Sequence, residues 1–426
     1  ENALYKQLAR HKAHHGCAVV MEVKTGDIKA IANLEIGSDG LYHETYNYAV
    51  GESTEPGSTF KLMSMIAALE DGVIDLDDSI STGDGTVKYY DKVIRDHEDE
   101  GLGTITAREV FEHSSNVGTA KIIYESYKDN PRRYVDRLYS MKINKPLDLQ
   151  IKGEGKPVIR GPGDKLWSGI SLPMMSHGYE VQMTPLQILT FYNAVANDGK
   201  MVKPRFVTEV KDGNRVVKSF DSEVITNAIC SRSTIRKAQS LLEGVVENGT
   251  AKNLKNSNYR IAGKTGTAQI ANAKHGYRSG SRISYQASFV GYFPADDPLY
   301  SCIVVVNAPS NWVYYGNVVS GPVFKEIADK VYAGNFYRDL HALNPEKEDK
   351  VTLREAASEV GKNDVTLAEG VMPNVTGMGL RDAIYMLENS GLRVHYTGRG
   401  KVAKQSPQPG VRISRGATVA IELRLR

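Results

Sequence analysis

The order of apolar and polar positions predicts a helix and then a hairpin at the start of the chain. Apolar residues over 2–12 recur at the spacing of an amphipathic helix. An apolar run over 18–23 predicts a strand, and the Gly and Asp within 24–27 suit a tight turn. We therefore expect 28–32 to fold back as the second strand of a hairpin.

The middle of the chain is predicted to be helical and partly buried. Residues 58–70 are apolar on nearly every face, and they are preceded by Pro-Gly and followed by Asp-Gly. Such a helix has no polar face to present to water, so it should lie inside a domain. Two more helices are predicted, one from 116 through 124 and one over 185–196.

The pattern changes to strands in the last part of this region. Short apolar runs cover 259–262, 285–291 and 301–307, and an amphipathic helix is predicted over 322–332. Strands therefore stand on both sides of a helical insert, which suggests one sheet assembled from distant segments of the chain.

Length and composition describe a soluble globular protein with more than one domain. A chain of 426 residues exceeds one ordinary core, so two or three domains are expected. The 41% apolar and 24% charged residues exclude a disordered or fibrous chain. A net charge of +3 gives no general case for nucleic-acid binding, and no apolar stretch reaches the roughly 18 residues of a membrane helix.

Charge and pattern divide the chain into three parts. Residues 336–370 are charge-rich and weakly periodic, as linkers are, and residues 371–426 carry nine basic and three acidic side chains. We therefore expect a large domain over 1–335, the linker and a small basic domain. The chain starts at Glu1 without a charged-then-apolar leader, so we expect an excised piece of a longer protein.

Ser58 and Lys61 form a Ser-x-x-Lys pair at the start of the predicted central helix. Side chains three residues apart share one helix face, so the lysine amine can lie against the serine hydroxyl. Burial would disfavour the charged amine and leave it able to accept the hydroxyl proton. The pair also arises by chance, and a helix N-cap with a snorkelling lysine is the alternative interpretation.

Ser114 and Asn116 stand just before the next predicted helix. A hydroxyl and an amide at this spacing can pass a proton and hold a peptide carbonyl. A serine that caps the helix explains the Ser114–Ser115 pair equally well, so both interpretations stay open.

Lys264, Thr265, Gly266 and Thr267 lie on a predicted strand. A cation and hydroxyls can receive a substrate carboxylate, and a glycine lets the substrate backbone come close. A second Lys-Thr-Gly occurs at 24–26, where a turn is the simpler explanation.

The three motifs occur in the order Ser-x-x-Lys, Ser-x-Asn, Lys-Thr-Gly. This order resembles that of the penicilloyl-serine transferases, which comprise the penicillin-binding proteins and the serine β-lactamases. The residues around the motifs resemble a class B penicillin-binding protein of the cell-division type over 1–335. The segments that carry this resemblance are 55–61, 113–118, 183–187, 262–268 and 289–295.

The resemblance implies an α+β fold of the penicillin-binding and serine β-lactamase type, with helices flanking an antiparallel sheet and an adjoining all-helical region. Residues 371–426 resemble a PASTA module, a small α+β domain in which a helix packs on a sheet. The segments that carry this second resemblance are 372–377, 383–392, 402–410 and 413–419. Such modules are associated with peptidoglycan and β-lactam recognition, and a purely structural appendage is an equal alternative.

The first resemblance also implies catalytic roles. Ser58 would attack the carbonyl of the penultimate D-Ala of a pentapeptide stem, with neutral Lys61 as the base. Ser114 would return the proton to the leaving amine, and Asn116 would hold both Lys61 and the stem peptide. An amine of a second stem would then resolve the acyl-enzyme, and neither a metal nor a cofactor is expected.

Substrate binding is implied for the remaining motif residues. The N–H groups of Ser58 and Thr267 would form the oxyanion hole. Lys264, Thr265 and Thr267 would face the carboxylate of D-Ala or of a β-lactam, with Gly266 in the same binding segment.

Two positions depart from related patterns. Ser115 stands where the β-lactamase form of the second motif has Asp. Tyr315 and Asn317 imitate the Tyr-x-Asn of other relatives, yet they follow Lys264 in the chain and so stand in the wrong order.

The resemblance finally implies partners and a location. The substrates would be peptidoglycan stem peptides, β-lactam antibiotics would acylate the protein, and division or elongation membrane proteins would be partners, with no nucleic acid. The catalytic domain would face the periplasm or cell exterior at the bacterial inner membrane, held only by an N-terminal anchor absent from this chain. A D,D-carboxypeptidase and a non-catalytic β-lactam or muropeptide sensor stay open as alternatives.

Overall fold

Strands from both ends of the large domain meet in one antiparallel sheet. In this computed structural model the sheet consists, in spatial order, of β14 (Ala262–Gln269), β15 (Tyr285–Phe293), β16 (Tyr300–Asn307), β1 (His15–Glu22), β2 (Ile28–Ile36) and β3 (Tyr42–His43). The predicted hairpin of β1 and β2 is confirmed, and β16 pairs along the whole of β1. The expected sheet from distant segments is therefore present.

The structure describes residues 1–97, 101–270, 284–310, 313–343, 371–378, 380–389, 392–398, 400–414 and 416–424. The chain divides into two units, Glu1–Arg338 and Asp339–Arg426. Within the predicted linker over 336–370, residues 336–343 form the end of a helix that starts at Gly321, and the remainder lies outside the described residues. Within those residues, we find no helix with the length and apolar character that crossing a membrane requires.

Most of the helices described up to residue 343 lie between β3 and β14. The helices up to residue 343 are α1 (Asn2–His11), α2 (Tyr48–Gly51), α3 (Lys61–Glu70), α4 (Ala107–Glu112), α5 (Asn116–Tyr127), α6 (Pro131–Ser140), α7 (Ser171–Ser176), α8 (Pro185–Ala196), α9 (Arg232–Glu247), α10 (Gly316–Val319) and α11 (Gly321–Leu343). The helix predicted over 185–196 has the predicted bounds, and α5 begins where the sequence predicts. The starts of these two helices could be predicted because a capping residue stands directly before each helix in the sequence.

Short strands pair in twos outside the main sheet. They are β4 (Ser79–Gly83) with β7 (Gly103–Thr106), β5 (Thr86–Tyr89) with β6 (Lys92–Arg95), β8 (Val158–Ile159) with β9 (Val181–Gln182), β10 (Met201–Val202) with β13 (Val224–Thr226), and β11 (Glu209–Asp212) with β12 (Arg215–Ser219). The β5–β6 hairpin packs against α5, and this contact brings it to the site described below.

The central helix α3 is buried, as its sequence predicts. Every residue from Lys61 to Leu69 is inaccessible to solvent or nearly so, and α5, α6 and α9 surround the helix. Helix α8 is buried along its whole length and lies on the sheet against β15 and β16. The result is a mixed helix and sheet domain with an antiparallel sheet, as expected.

The strand predicted over 259–262 is wrong, because β14 begins only at Ala262. The Tyr259 hydroxyl donates to Asp329 at 2.7 Å, and the Tyr259 ring stacks on Tyr332. Tyr259 therefore packs against α11, which draws these residues away from the strand ladder.

The second unit contains a helix packed on a small sheet. The helix is α12 (Leu380–Asn389), and the sheet has the order β17 (Arg393–Gly398), β19 (Thr418–Arg424), β18 (Lys401–Ser406). Ala383 and Leu387 of the helix share one buried apolar cluster with Val402 and Val419 of the sheet. The predicted helix-on-sheet arrangement of this unit is confirmed.

Candidate active site

Ser58 lies in a tight turn directly before α3. Residues Gly57–Phe60 form a 3-10 turn, and the α-helix begins only at Lys61, later than the sequence predicts. Gly57 has a φ of +54°, and a Cβ at this position would stand 2.8 Å from the Cβ of Ala268 on β14. Glycine therefore lets the turn press against the edge of the sheet. The serine residue remains 7% exposed.

The amine of Lys61 connects the first motif to the second. It donates to the carbonyl oxygen of Ser114 at 2.5 Å, to Ser114 Oγ at 3.2 Å and to Asn116 Oδ1 at 2.7 Å. Lys61 is 0% exposed, so the snorkelling interpretation is wrong. Among the hydrogen bonds of the described residues, none links Lys61 to Ser58. The second motif therefore holds the amine in place.

Burial changes the chemistry of this amine. It lowers the pKa of Lys61 to about 7, and the Asp96 carboxylate acts in the opposite direction. The usual value for lysine is about 10.4. Near neutral pH a large share of Lys61 is therefore neutral and carries a lone pair that can accept a proton.

Ser114 faces Lys61 because its backbone is left-handed. Its φ of +58° costs a residue other than glycine roughly 1–3 kcal/mol, and strain of this kind clusters at functional sites. The cap of α5 is Ser115, whose Oγ accepts from Gly118 N at 2.8 Å. A serine of this motif therefore does cap the helix, as the alternative interpretation predicts, but it is Ser115, and Ser114 is left to contact Lys61.

The third motif lies on β14, the edge strand next to the turn that carries Ser58. Where β14 pairs with β15, the N–H of Ile270, just after the end of β14, donates to the carbonyl oxygen of Ser284. In an antiparallel pair every second residue bonds across in this way. The N–H groups of Thr265 and Thr267 therefore point away from β15, along the free edge of the strand.

The two threonines also line the cleft with their side chains. Thr265 Oγ1 lies 2.8 Å from Thr250 Oγ1, and Thr267 Oγ1 accepts from Gly316 N at 3.4 Å. Both hydroxyls thus have protein partners that orient them at the cleft surface.

Lys264 and Gly266 occupy more enclosed positions in the same motif. Lys264 is 0% exposed and lies 5.6 Å from the centre of the Phe111 ring. Burial, and next the charge of Lys61, lower the pKa of Lys264 well below its usual value. A Cβ at Gly266 would stand 2.9 Å from Thr59 Cγ2, so glycine at this position leaves room for the Gly57–Phe60 turn to pack against β14.

Ser58 stands between two adjoining halves of one cleft. Their volumes are about 280 Å³ and 310 Å³, and Ser58, Asp96, His97 and Thr267 line both halves. The first half is also lined by Ser114, Thr250, Thr265, Tyr315 and Asn317, and the second by Lys92, Arg95, Asn116, Tyr179, Tyr285 and Tyr314. Among the described residues, no His, Cys, Asp or Glu side chains group in threes as metal ligands would.

The sequence analysis missed Asp96 and His97, and it set Tyr315 aside for its place in the chain order. Asp96 and His97 follow β6, a short strand whose pattern gives no sign of the cleft. The rings of His97 and Tyr315 lie 6.1 Å apart in an edge-on arrangement. The packing of β6 on α5 brings Asp96 and His97 to Ser58, and the packing of α10 on β14 and β15 brings Tyr315 there.

Family comparisons agree with this arrangement. A family model described as "Penicillin binding protein transpeptidase domain" matches residues 16–329, and one described as "PASTA domain" matches residues 370–424. The chain is 29% identical over 419 residues to "Stage V sporulation protein D" of Bacillus subtilis, covering 95% of this chain and 60% of that protein. It is 30% identical over 332 residues to "Probable peptidoglycan D,D-transpeptidase PbpC" of Pseudomonas aeruginosa, covering 76% and 55%.

Solved structures give the same result. The fold matches the transpeptidase domain of Burkholderia pseudomallei penicillin-binding protein 3 with a TM-score of 0.65 and 27% identity, over 78% of this chain and 92% of that chain. It also matches penicillin-binding protein 3 of Mycobacterium tuberculosis in complex with aztreonam, with a TM-score of 0.66 and 26% identity, over 78% and 76%. The chain spans 60% and 55% of the length of the two curated relatives named above.

Proposed function

Because the chain belongs to the penicillin-binding protein transpeptidase family and carries a PASTA domain, we propose that it is a peptidoglycan D,D-transpeptidase acting through a serine acyl-enzyme. One observation carries this proposal. The buried Lys61 amine of α3, with a pKa of about 7, donates to Ser114 and Asn116 at the start of α5. Ser58, just before α3, lines the cleft together with Thr267 of β14. Three motifs that are distant in the chain thereby share one site.

Acylation begins with Ser58. Its hydroxyl oxygen forms a bond to the carbonyl carbon of the penultimate D-Ala while its proton passes to neutral Lys61, a base role worth about 10²- to 10⁴-fold in rate. Collapse of the intermediate breaks the bond to the terminal D-Ala, and Ser114 returns the proton to the leaving amine. The hydrogen bonds from Lys61 to Ser114 and Asn116 support this proton path.

The edge of β14 supplies binding groups. The N–H groups of Ser58 and Thr267 form the oxyanion hole, where loss of one donor costs roughly 3 to 4 kcal/mol. Thr265 and Thr267 receive the carboxylate of D-Ala or of a β-lactam, and the buried Lys264 supports this segment from inside. The outward N–H of Thr267 and the two cleft-lining hydroxyls favour these roles.

The acyl-enzyme is resolved by an amine of a second stem peptide. That nitrogen forms a bond to the acyl carbon, the bond to Ser58 Oγ breaks, and the proton lost by the amine returns to Ser58 through Lys61.

The partners are division or elongation membrane proteins, and the domain faces the periplasm or cell exterior at the bacterial inner membrane. Membership of the penicillin-binding protein transpeptidase family supports these assignments.

A two-substrate assay tests this function. A stem peptide ending in D-Ala–D-Ala is incubated with the protein, with and without an amine acceptor, and the products are identified by mass. We expect D-Ala release and a cross-linked product that forms only with the amine. Hydrolysis to the tetrapeptide with no cross-linking would indicate a carboxypeptidase, and persistent acylation without any product would indicate a sensor.

Acylation by penicillin is expected to slow as the pH falls below 7, because Lys61 then carries a proton. Well below the pKa of Lys61, lowering the pH by one unit should reduce the acylation rate by about tenfold. Above that pKa the rate should no longer change with pH. The measurement is the acylation rate constant for a fluorescent penicillin between about pH 5 and pH 9. A rate that does not change over this range would rule out a neutral lysine base.

A further inference from the structure

Asp96 lies directly after β6 and bonds to the first turn of α5. Its Oδ1 accepts from Asn116 N at 2.6 Å and from Val117 N at 3.0 Å, and its Oδ2 accepts from Ser115 Oγ at 2.8 Å. The first N–H groups of a helix have no partner within the helix. The side chain of the capping Ser115 accepts only from Gly118 N. The Asp96 carboxylate, which comes from another part of the chain, accepts from the two preceding N–H groups of the helix.

The same end of β6 orients the Asn116 side chain. Asn116 Nδ2 donates to the carbonyl oxygen of Arg95 at 2.9 Å, while Oδ1 accepts from Lys61 at 2.7 Å. An amide group donates through its nitrogen and accepts through its oxygen. Since the Arg95 carbonyl can only accept, it turns the amide oxygen of Asn116 to the Lys61 amine.

We propose that Asp96 is a positioning residue for this active site. It holds the start of α5 so that Asn116 and Ser114 face Lys61, and its negative charge favours the charged form of that buried amine. This inference rests on the proposed function. Asp96 acts through the second motif, and its carboxylate is occupied by helix N–H groups and Ser115, so it is not a proton acceptor for the substrate.

Electrostatics give this proposal a measurable consequence. The carboxylate of Asp96 raises the pKa of Lys61 against the larger effect of burial. Among the described residues, burial and then the charge of Lys61 lower the pKa of His97 after β6, of His177 after α7 and of Lys264 on β14. These three are cationic when protonated, so they act on Lys61 in the opposite direction to Asp96.

The test compares two substitutions and one control. Asp96→Asn keeps the shape of the side chain and one acceptor oxygen but removes the charge. Asp96→Ala also removes the helix contacts. Asp91→Asn makes the same charge change on the exposed turn of the same hairpin, away from the cleft.

The first measurement is the titration of Lys61 itself. Protein labelled with ¹³C at lysine Cε is titrated by NMR, with the Lys61 signal assigned from the spectrum of Lys61→Arg. We expect the midpoint to be lower in Asp96→Asn than in the unchanged protein, and equal to it in Asp91→Asn. Equal midpoints in Asp96→Asn and the unchanged protein would overturn the proposal.

The second measurement is the rate of acylation by penicillin as a function of pH. Asp96→Ala should lose roughly 10²-fold in rate. Asp96→Asn should lose less, and the pH at which its rate begins to fall should move to lower values. Asp96→Ala reacting at the unchanged rate would overturn the positioning role.

Folding and function are kept apart in this design. Thermal unfolding identifies a variant that fails to fold, and if Asp96→Ala fails, the two measurements on Asp96→Asn decide. If the unchanged protein is not acylated at any pH, the proposed function fails. The NMR titration then still shows whether Asp96 acts on Lys61.

Discussion

Replacing Ser58 with alanine is expected to abolish covalent labelling by penicillin. The unchanged protein should gain the mass of one penicillin, and Ser58→Ala should gain none. Ser58 stands on the turn against β14 and lines both halves of the cleft. Ser114, the other candidate hydroxyl, already accepts a hydrogen bond from Lys61. Intact mass spectrometry after incubation with penicillin measures the result.

The matched control for this experiment is Ser79→Ala, which removes a serine hydroxyl from the exposed start of β4. It should be labelled like the unchanged protein. Following the mass of the unchanged protein over hours separates slow from fast deacylation. Full labelling of a folded Ser58→Ala protein would end the assignment of Ser58 as the nucleophile, and with it the proposed function.

Replacing Lys61 with methionine is expected to reduce acylation by at least about 10²-fold while leaving the domain folded. Methionine has a similar length and suits the buried, apolar surroundings of α3. It cannot accept a proton from Ser58. The measurement is the acylation rate constant for a fluorescent penicillin, with Lys200→Met, on an exposed surface position, as the control.

The same variant should also change how stability depends on pH. Because the pKa of Lys61 is about 7 in the folded protein and about 10.4 in an unfolded chain, the folded state binds fewer protons between these values. Stability therefore rises with pH through this window, and the contribution is absent when the amine is removed.

The expected result is a difference in slope. The free energy of unfolding should increase less with pH, from about 7 to about 10, in Lys61→Met than in the unchanged protein. Urea unfolding at several pH values measures this, and Lys200→Met should match the unchanged protein. Parallel curves for Lys61→Met would show that the amine is not desolvated as its burial indicates, and a normal acylation rate would point to another base.

Much of the fold could be read from local patterns. The bounds of α8 follow from an apolar run and a capping box formed by Thr184 and Gln187, which involve neighbouring residues only. The strand predicted over 259–262 failed for the opposite reason, because the contact of Tyr259 with α11 is distant in the chain. Local sterics and periodicity carry no information about such partners.

The candidate site divides in the same way. Local sequence encodes the three-residue spacing of Ser58 and Lys61, the strand that carries Thr267 and the resemblance to penicillin-binding proteins, because each of these features lies within short segments. The contact of Lys61 with Ser114 and the hydrogen bonds of Asp96 to the start of α5 depend on how distant segments pack, which local patterns do not encode. The pKa of a buried amine depends on the solvent excluded and the charges brought near it, and packing between distant segments determines both.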